Sequence, residues 1–385
     1  MNGKRSGWWT ATAGLAVLAV VAAGLGLLFR GQRPAPEVAQ TTETATATCT
    51  PAPTTTPAPT ETPATPEGTP PPRHLSAAVE VPVQNPEGFG PMHLCGDTMV
   101  GDTLINGEQQ LVTLDLTTGE MRQISSAPGT TVKYFARISE SWVVWIEQEA
   151  NPPDGPLERQ LKVYDREKQR EFTLEAAAPS SLDLAGDMVV WEGGGDVFAH
   201  NLRTGQRWTV AGRPNTQWYP HISGRWVIYL DWAVPADQPG VDLWAYNLES
   251  GEDRLVGQEY YPLTSSAGTY HALSGSRVVW TTPMGADYTF QVLSLDLDNP
   301  QDQPSVVMSP GDFAPGSLRL FDDILVYHWQ RGKVLYDLRR GEELTFLDRT
   351  TAIFISGDQV VWEALLDVDG NGEWSYRLYI ATIEQ

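Results

Sequence analysis

The sequence predicts an all-β protein, a seven-bladed β-propeller, from a repeated cassette, the hairpin turns that follow it, and a strand that the last repeat lacks. The cassette is an aliphatic residue, a small residue, a position that is often Gly, two variable positions, two aliphatic residues and usually an aromatic one. The segment 222–229 (ISGRWVIY) is a clear copy. The cassette occurs seven times between Leu94 and Trp362, at intervals of 35–51 residues. Recurrence at such a period is the signature of a repeat architecture.

A second strand and a hairpin turn follow the cassette. Turns of this kind occur at 114–120, 246–252 and 336–342, where a triplet containing Asp or Asn is followed by Gly. Gly adopts positive φ without steric cost, so these segments predict β-hairpins. One further short strand gives each unit four strands, rich in Val, Ile, Tyr and Trp. Such units close around an axis into a propeller, and seven cassettes predict seven blades, with six or eight as alternatives.

The last repeat has room after Trp362 for only one more strand, at 376–383, so its fourth strand is missing. Residues 78–83 (AVEVPV) precede the first cassette and have the alternating pattern of a β-strand. We expect this N-terminal strand to pair into the last blade and to close the ring by backbone hydrogen bonds. The propeller is therefore expected to occupy residues 76–385.

The N-terminal segment predicts a membrane anchor. Residues 8–29 carry no charge and are rich in Ala, Leu, Val and Gly, which is long enough to cross ~30 Å of hydrocarbon as a helix. A cleaved signal peptide is the alternative, although its apolar core is shorter and ends at small residues. The positive charges of residues 1–7 outweigh Arg30 and Arg33, so we expect a cytoplasmic N-terminus and a propeller outside, periplasmic or on the cell surface.

Residues 30–75 form a linker dominated by Pro, Thr, Ala and Glu. A chain of this composition cannot bury a core, and its proline content favours an extended conformation. The linker predicts a disordered stalk between membrane and propeller. The formal net charge of −22 repels phosphate backbones, which argues against nucleic acid as a partner.

The chain has two cysteines, too few for a disulfide framework or a structural zinc site. Cys95 occupies the small-residue position of the first cassette, which predicts a packing role. Cys49 lies in the stalk, where an oxidising compartment would allow it to pair, including with another chain.

The series Ile-Ser-Gly, Val-Val-Trp, Tyr-Asp-Leu and Thr-Gly-Glu resembles the TolB-like family of WD40-like bacterial propellers over residues 76–385. The resemblance implies a propeller in the bacterial envelope. The chain departs from the family's usual Ser-Pro-Asp-Gly turn and lacks the amino-terminal domain of TolB. No partner of that family is therefore carried over.

One ring position is rich in polar residues. It lies two residues before the small residue of each cassette and holds, in order, His93, Arg137, Asp183, His221, Ala272, Arg319 and Phe354. Immediately upstream lie Tyr134, Phe135, Trp218, Tyr219, Tyr270, His271 and Phe313.

In a propeller the innermost strands surround the central channel, so we expect these residues to converge at its mouth. A few polar groups inside an apolar rim are typical of a binding site. The alternative is that they plug the axis through hydrogen bonds and ion pairs. A metal on His93, His221 and His271 has no support from sequence spacing.

A calcium loop is the one cofactor site that the sequence indicates. Asp367, Asp369 and Asn371 match the first half of an oxygen-ligand loop, and similar loops bind calcium in the hairpins of some propellers. Its twelfth position is Leu378 rather than Glu, which excludes the helix-loop-helix form. Asn371 followed by Gly is equally an ordinary hairpin turn, so both interpretations stay open.

No linear catalytic signature occurs in the sequence, and no Gly-x-Ser-x-Gly elbow is present. We therefore expect a binding or scaffold module for an envelope protein, peptide or glycan rather than an enzyme, and we assign no catalytic residue. One alternative is a propeller enzyme, a polysaccharide lyase or glycosidase with its site at the channel mouth, because such a site assembles from several blades without a linear motif. A purely structural assembly module is the second alternative.

Overall fold

The fold was analysed in a computed structural model, which describes residues 72–83, 89–126, 131–149, 158–175, 179–232, 240–260, 270–284, 289–311, 316–329, 332–367 and 374–384. All of these belong to one compact unit, Ala45–Gln385. The helix expected at 8–29 and most of the predicted linker lie outside the described residues. Within the described ranges, no helix is long and apolar enough to span a membrane.

The described residues form only strands and turns, and the strands make seven sheets. Blade 1 is built from β3 (Gly90–Cys95), β4 (Thr98–Ile105), β5 (Glu108–Asp115) and β6 (Met121–Gln123). Blade 2 is built from β7 (Thr131–Ile138), β8 (Trp142–Glu149), β9 (Arg159–Asp165) and β10 (Arg170–Glu175). Blade 3 is built from β11 (Pro179–Ala185), β12 (Met188–Gly193), β13 (Asp196–Asn201) and β14 (Arg207–Ala211). Blade 4 is built from β15 (Thr216–Ser223), β16 (Trp226–Trp232), β17 (Gly240–Asn247) and β18 (Asp253–Tyr260).

Blades 5 to 7 continue the same antiparallel order. Blade 5 is built from β19 (His271–Ser274), β20 (Arg277–Met284), β21 (Thr289–Asp296) and β22 (Ser305–Gly311). Blade 6 is built from β23 (Gly316–Phe321), β24 (Ile324–Trp329), β25 (Gly332–Asp337) and β26 (Glu342–Asp348). Blade 7 is built from β27 (Thr350–Ser356), β28 (Gln359–Asp367), β29 (Trp374–Glu384), β1 (His74–Leu75) and β2 (Val79–Glu80). The first strands contact each other in sequence from blade 7 through blade 1 to blade 6, so the first strands are innermost. The prediction of a seven-bladed all-β propeller is confirmed.

The N-terminal strand closes the ring, as the sequence predicts. Val79 pairs with Ile380 in antiparallel register, and the Val81 amide donates to the Leu378 carbonyl at 2.8 Å. The closing segment begins earlier than expected, because His74 already pairs with Glu384. The first residues of the propeller therefore lie within the segment assigned to the linker.

The core lies between adjacent blades, where the aromatic ends of the cassettes pack. Trp145, Trp191, Tyr229 and Trp280 are at most 1% exposed, as expected for packing residues. Gly101 replaces this aromatic residue in blade 1. A Cβ atom there would lie 2.6 Å from the ring of Phe89, so the Phe89 ring takes the space that the cassette aromatic fills elsewhere.

The small residue of the cassette also links neighbouring blades. The Oγ of Ser223, Ser274 and Ser356 accepts a backbone N–H from the corresponding turn of the next blade, at 2.8–2.9 Å. The Ser356 bond joins blade 7 to Gly96 of blade 1 and so crosses the closure point. Cys95 occupies this position in blade 1, where it is buried and disulfide-bonded. The other cysteine, Cys49, lies outside the described residues.

Candidate functional site

The polar ring position has the same strand register in every blade. Each ring residue pairs with the second of the two cassette aliphatic residues in the second strand. The pairs are His93 with Val100, Arg137 with Val144, Asp183 with Val190, His221 with Ile228, Ala272 with Val279, Arg319 with Val326, and Phe354 with Val361. The ring lies near the end of each innermost strand rather than at the loop that leads into it. We call His93, Arg137, Asp183, His221, His271 and Arg319 the axial cluster.

Asp183 is the centre of the paired half of the cluster. Its Oδ1 accepts a hydrogen bond from Arg137 Nε at 3.1 Å, and its Oδ2 lies 3.3 Å from His221 Nδ1. The backbone N–H of Ile222 donates to the same Oδ2 at 3.1 Å. Burial raises the pKa of Asp183, but the His221 hydrogen bond and the charge of Arg137 hold this pKa well below its usual range. One carboxylate thus connects blades 2, 3 and 4.

Neutral histidines line the same region. His93 Nδ1 accepts the Ile138 N–H at 3.3 Å, so its remaining proton is on Nε2. Burial, together with the charge of Arg137, lowers the pKa of His93 to about 3. Burial also lowers the pKa of His221, against the opposing effect of Asp183. Both rings are therefore uncharged at neutral pH.

His221 and His271 meet edge to face, with ring centroids 5.1 Å apart. The side chain of His271 is fully buried, and its Nε2 lies 3.1 Å from the carbonyl oxygen of Tyr219. His221 Nε2 is buried without a hydrogen-bond partner among the described residues. The side chain of His221 is nevertheless 25% exposed, and those of Arg137 and Asp183 are 17% and 15% exposed. Part of the cluster therefore reaches solvent.

Arg319 forms the unpaired half of the cluster. Its guanidinium lies 5.4 Å from the centroid of the Phe354 ring. Among the described residues it has no hydrogen bond or ion pair, in contrast to Arg137. Burial and the charge of Arg137 lower the pKa of Arg319 to about 10. Two arginines therefore repel each other near the axis while only one has a carboxylate partner.

Backbone bulges precede three of the ring residues. A non-glycine residue with φ of 48–56° lies two positions upstream of Arg137, His221 and Arg319, in blades 2, 4 and 6. These residues are Phe135, Tyr219 and Ser317. Each belongs to a register shift of the innermost strand. Left-handed conformations cost energy in such residues, and bulges re-aim side chains next to functional sites.

The expected aromatic rim divides into buried and accessible residues. Tyr270 is 6% exposed and so lies in the interior. The Tyr134 hydroxyl donates to Gln148 at 3.1 Å, and Trp218 stacks on Trp232 with ring centroids 4.8 Å apart. Phe135, which the sequence also placed in the rim, is 43% exposed. No pattern of residue types in the sequence predicts the bulge that exposes the Phe135 ring.

The axial cluster does not have the geometry of a metal centre. Its histidine nitrogens are directed to a backbone amide, to Asp183 and to a backbone carbonyl. Across the described ranges, no group of three His, Cys, Asp or Glu side chains is placed to hold a metal. In the expected calcium loop, Asp369 and Asn371 lie outside the described residues. Asp367 ends β28 and pairs with Trp374, and calcium binding there stays a prediction.

Comparison with known proteins identifies the fold. Neither a protein-family model nor a curated protein sequence matches the chain. An oligogalacturonate lyase solved in complex with manganese has a TM-score of 0.56 at 12% identity, over 77% of this chain and 90% of that one. A second oligogalacturonate lyase, from Vibrio parahaemolyticus, has a TM-score of 0.55 at 11% identity, over 81% of this chain and 98% of that one.

A prolyl endopeptidase is also similar, with a TM-score of 0.55 at 15% identity. The match covers 72% of this chain but only 45% of the peptidase, so the chain spans less than half of that protein. At identities this low, the comparisons show a shared propeller fold and no shared activity.

Proposed function

We propose that this protein is a TolB-like binding or scaffold module of the bacterial cell envelope, whose axial cluster captures an envelope protein, peptide or glycan. The observation that carries the proposal is the convergence of polar side chains from separate blades at one strand register. Propeller packing alone requires no ionisable side chain at this position, since Ala272 and Phe354 occupy it in two blades.

Incomplete pairing favours binding over a plug. Buried polar groups in a structural network normally find hydrogen-bond partners, and an unpaired one costs ~1–3 kcal/mol. Asp183 is fully engaged, whereas the buried Nε2 of His221 has no partner among the described residues. The half-buried Arg319 likewise has no hydrogen bond or ion pair within the described ranges. A ligand that pairs with His221 Nε2 would offset the cost of its burial, and the same ligand could accept from Arg319.

The proposed location rests on the sequence. The uncharged segment 8–29 and the Pro/Thr-rich linker would hold the propeller outside the cytoplasmic membrane. Such a tether suits a module that meets its ligand at a distance from the membrane. Fractionation of cells, with protease added to intact spheroplasts, tests this placement: the propeller is expected to be digested, and protection would contradict it.

Binding is tested with the full-length chain in detergent micelles. The probes are a muropeptide, an oligogalacturonate and the neutral oligosaccharide cellotetraose, each labelled with a fluorophore. Capture of at least one probe should fall by about tenfold or more in Arg137→Ala and His221→Ala, since each change removes a charged or hydrogen-bonding group at the axis. Arg122→Ala, an exposed arginine on β6, is the matched control and should bind like the wild type. Capture that is unchanged in both axial variants would contradict a site at the axis.

The second candidate function is a polysaccharide lyase, and the pair of Asp183 and His221 favours it. The carboxylate accepts the Nδ1 proton, which leaves the Nε2 lone pair free on a neutral ring. That arrangement suits a general base. On a uronate, His221 Nε2 would take the C5 proton, the C–H electrons would form the C4–C5 double bond, and the C4–O bond would break. The leaving oxygen, on the departing sugar, would take a proton from water. The similar fold of the oligogalacturonate lyases supports the choice of substrate.

The lyase is tested by incubating oligogalacturonate with the full-length chain and following the ultraviolet absorbance of the unsaturated product. A lyase would generate this absorbance in the wild type and lose it in His221→Ala. The Arg122→Ala chain should match the wild type. Absence of product with bound substrate would leave the binding function and remove the enzymatic one.

A further inference from the structure

We propose that the axial site takes an anionic group, a carboxylate or a phosphate, which binds to the guanidinium of Arg319 beside Arg137. The inference rests on the proposed binding function and names the charge of its ligand. Its basis is a local excess of positive side chains in a chain whose net charge is −22.

The guanidinium of Arg319 lies against an aromatic ring and carries N–H donors that an anion could use. Phe354 stacks against the guanidinium, with its ring centroid 5.4 Å from Cζ. Stacking on a ring face leaves the in-plane N–H groups available. In the portion of the chain that the structure describes, no acceptor for those N–H groups is recorded. A planar fork of donors without an acceptor matches the two oxygens of an oxyanion.

Two further cations lie close enough to act on Arg319. The positive charge of Arg137 repels that of Arg319, and the charge of Arg319 repels that of Lys333 in β25. Burial and the charge of Arg319 lower the pKa of Lys333. The Lys333 ammonium, like Arg319, has no ion pair among the described residues. Arg319 is thus repelled by Arg137 and in turn repels Lys333, and Asp183 is the one carboxylate among the described residues whose charge opposes this at Arg319.

Asp183 does not neutralise this excess. Its two oxygens already accept from Arg137 and the Ile222 amide and contact His221. The adjacent histidines are neutral and contribute no negative charge. An incoming anion would therefore meet Arg319 and Lys333, two cations without an ion pair in the part of the chain that the structure describes, together with the partly exposed Arg137.

The ring residue of the neighbouring blade adds no charge. The innermost strand of blade 5 contacts that of blade 6. Ala272 of blade 5 is 5% exposed and packs with Leu318 and Leu320 in the apolar cluster between the two blades. This ring position therefore supplies no carboxylate that could compensate Arg319.

The test measures thermal stabilisation of the full-length chain in detergent micelles at constant ionic strength. The probes are inorganic phosphate, galacturonate and, as the neutral counterpart, galactose. A ligand of the folded state raises Tm with concentration. We expect phosphate or galacturonate to raise Tm and galactose to have at least about tenfold lower affinity, because the neutral sugar lacks the charged acceptor. The more effective anion identifies which oxyanion the site prefers.

Two substitutions assign the effect to Arg319. The anion-induced shift should be lost in Arg319→Gln, retained in part in Arg319→Lys, and unchanged in the matched control Arg122→Gln. Without anion, Arg319→Gln should raise Tm, because it removes an unpaired charge that Arg137 repels. A structural role for Arg319 predicts the opposite, a lower Tm.

Three outcomes would overturn the inference: equal affinity for galacturonate and galactose, an anion effect that persists in Arg319→Gln, or no effect of any probe. The proposed binding function fails separately. If cellotetraose is captured in a manner that depends on His221 while anions have no effect, the axis is a binding site for neutral ligands. If no probe is captured and the anions have no effect, both proposals fall.

Discussion

The two halves of the axial cluster differ in how their charges are compensated. In blades 2 to 4, Arg137, Asp183 and His221 form a hydrogen-bonded set with contacts at 3.1–3.3 Å. In blade 6, Arg319 occupies the same strand register, but among the described residues it lies against an aromatic ring and has no hydrogen bond or ion pair. The first half is built like a structural lock, and the second like a site that awaits a partner. The same ring position therefore holds a paired network on one side of the axis and, on the other, the arginine that we propose binds the ligand.

The largest expected effect on stability comes from removing the carboxylate of the paired half. Asp183→Asn removes the carboxylate and leaves Arg137 as an uncompensated charge that is 17% exposed. Loss of one partner of a buried ion pair costs ~3–5 kcal/mol, so we expect a loss of about 3 kcal/mol in the free energy of unfolding. Urea denaturation followed by tryptophan fluorescence measures it. The control Asp358→Asn changes an exposed aspartate and should be neutral; equal stability of both variants would contradict the lock.

The second prediction uses pH to weaken the same half. The pKa of His93 is lowered from 6.5 to about 3 in the folded state, so the unfolded chain binds this proton more readily. The stability from a neutral His93 is complete above pH 6.5 and is lost as pH falls towards 3. At about pH 5 the slope should include ~1.4 kcal/mol per pH unit from this one proton.

His93→Asn isolates that contribution. The amide oxygen of asparagine can accept the Ile138 N–H but cannot titrate in this range. Urea denaturation between pH 7 and pH 4 should give a shallower pH dependence for the variant. An unchanged slope would show that His93 is not held neutral by the fold.

A smaller effect concerns the blade contacts that surround both halves. Ser356→Ala deletes the hydroxyl that accepts the Gly96 N–H at 2.8 Å across the closure point. A hydrogen bond of this kind contributes about 1 kcal/mol, and we expect that loss in urea denaturation. Ser356→Thr keeps the hydroxyl and should retain most of the stability. If Ser356→Ala does not change the free energy of unfolding, ring closure depends on the strand pairing alone.

The smallest expected effect sharpens the contrast between the halves. Arg319→Gln should stabilise the ligand-free protein by a few tenths of a kcal/mol up to about 1 kcal/mol, whereas Arg137→Gln should destabilise it, because only Arg137 has a carboxylate partner. Differential scanning calorimetry of the two variants in chloride buffer gives the comparison. Destabilisation of both would make Arg319 a second structural arginine.

The sequence predicts those features that depend on local register. The cassette fixes the strands, and the alternation in AVEVPV locates a closing segment that the structure extends to His74. Counting back from the small residue is also enough to bring Asp183 and Arg319 to a common ring.

Pairing within the ring depends on the rotation between blades, which no single repeat encodes. The choice of Arg137 and His221 as partners of Asp183, and the isolation of Arg319, are therefore visible only in the structure. The bulges at Phe135 and Tyr219 arise from mismatch between paired strands, and neither residue type signals a positive φ.

Titration calorimetry of galacturonate and of phosphate into the wild-type full-length chain and Arg319→Gln tests the central claim most directly. The account predicts that the wild type binds at least one of these anions, with one molecule per chain, and that Arg319→Gln weakens this binding by about tenfold or more. Equal heats and equal affinities in the two proteins would contradict it.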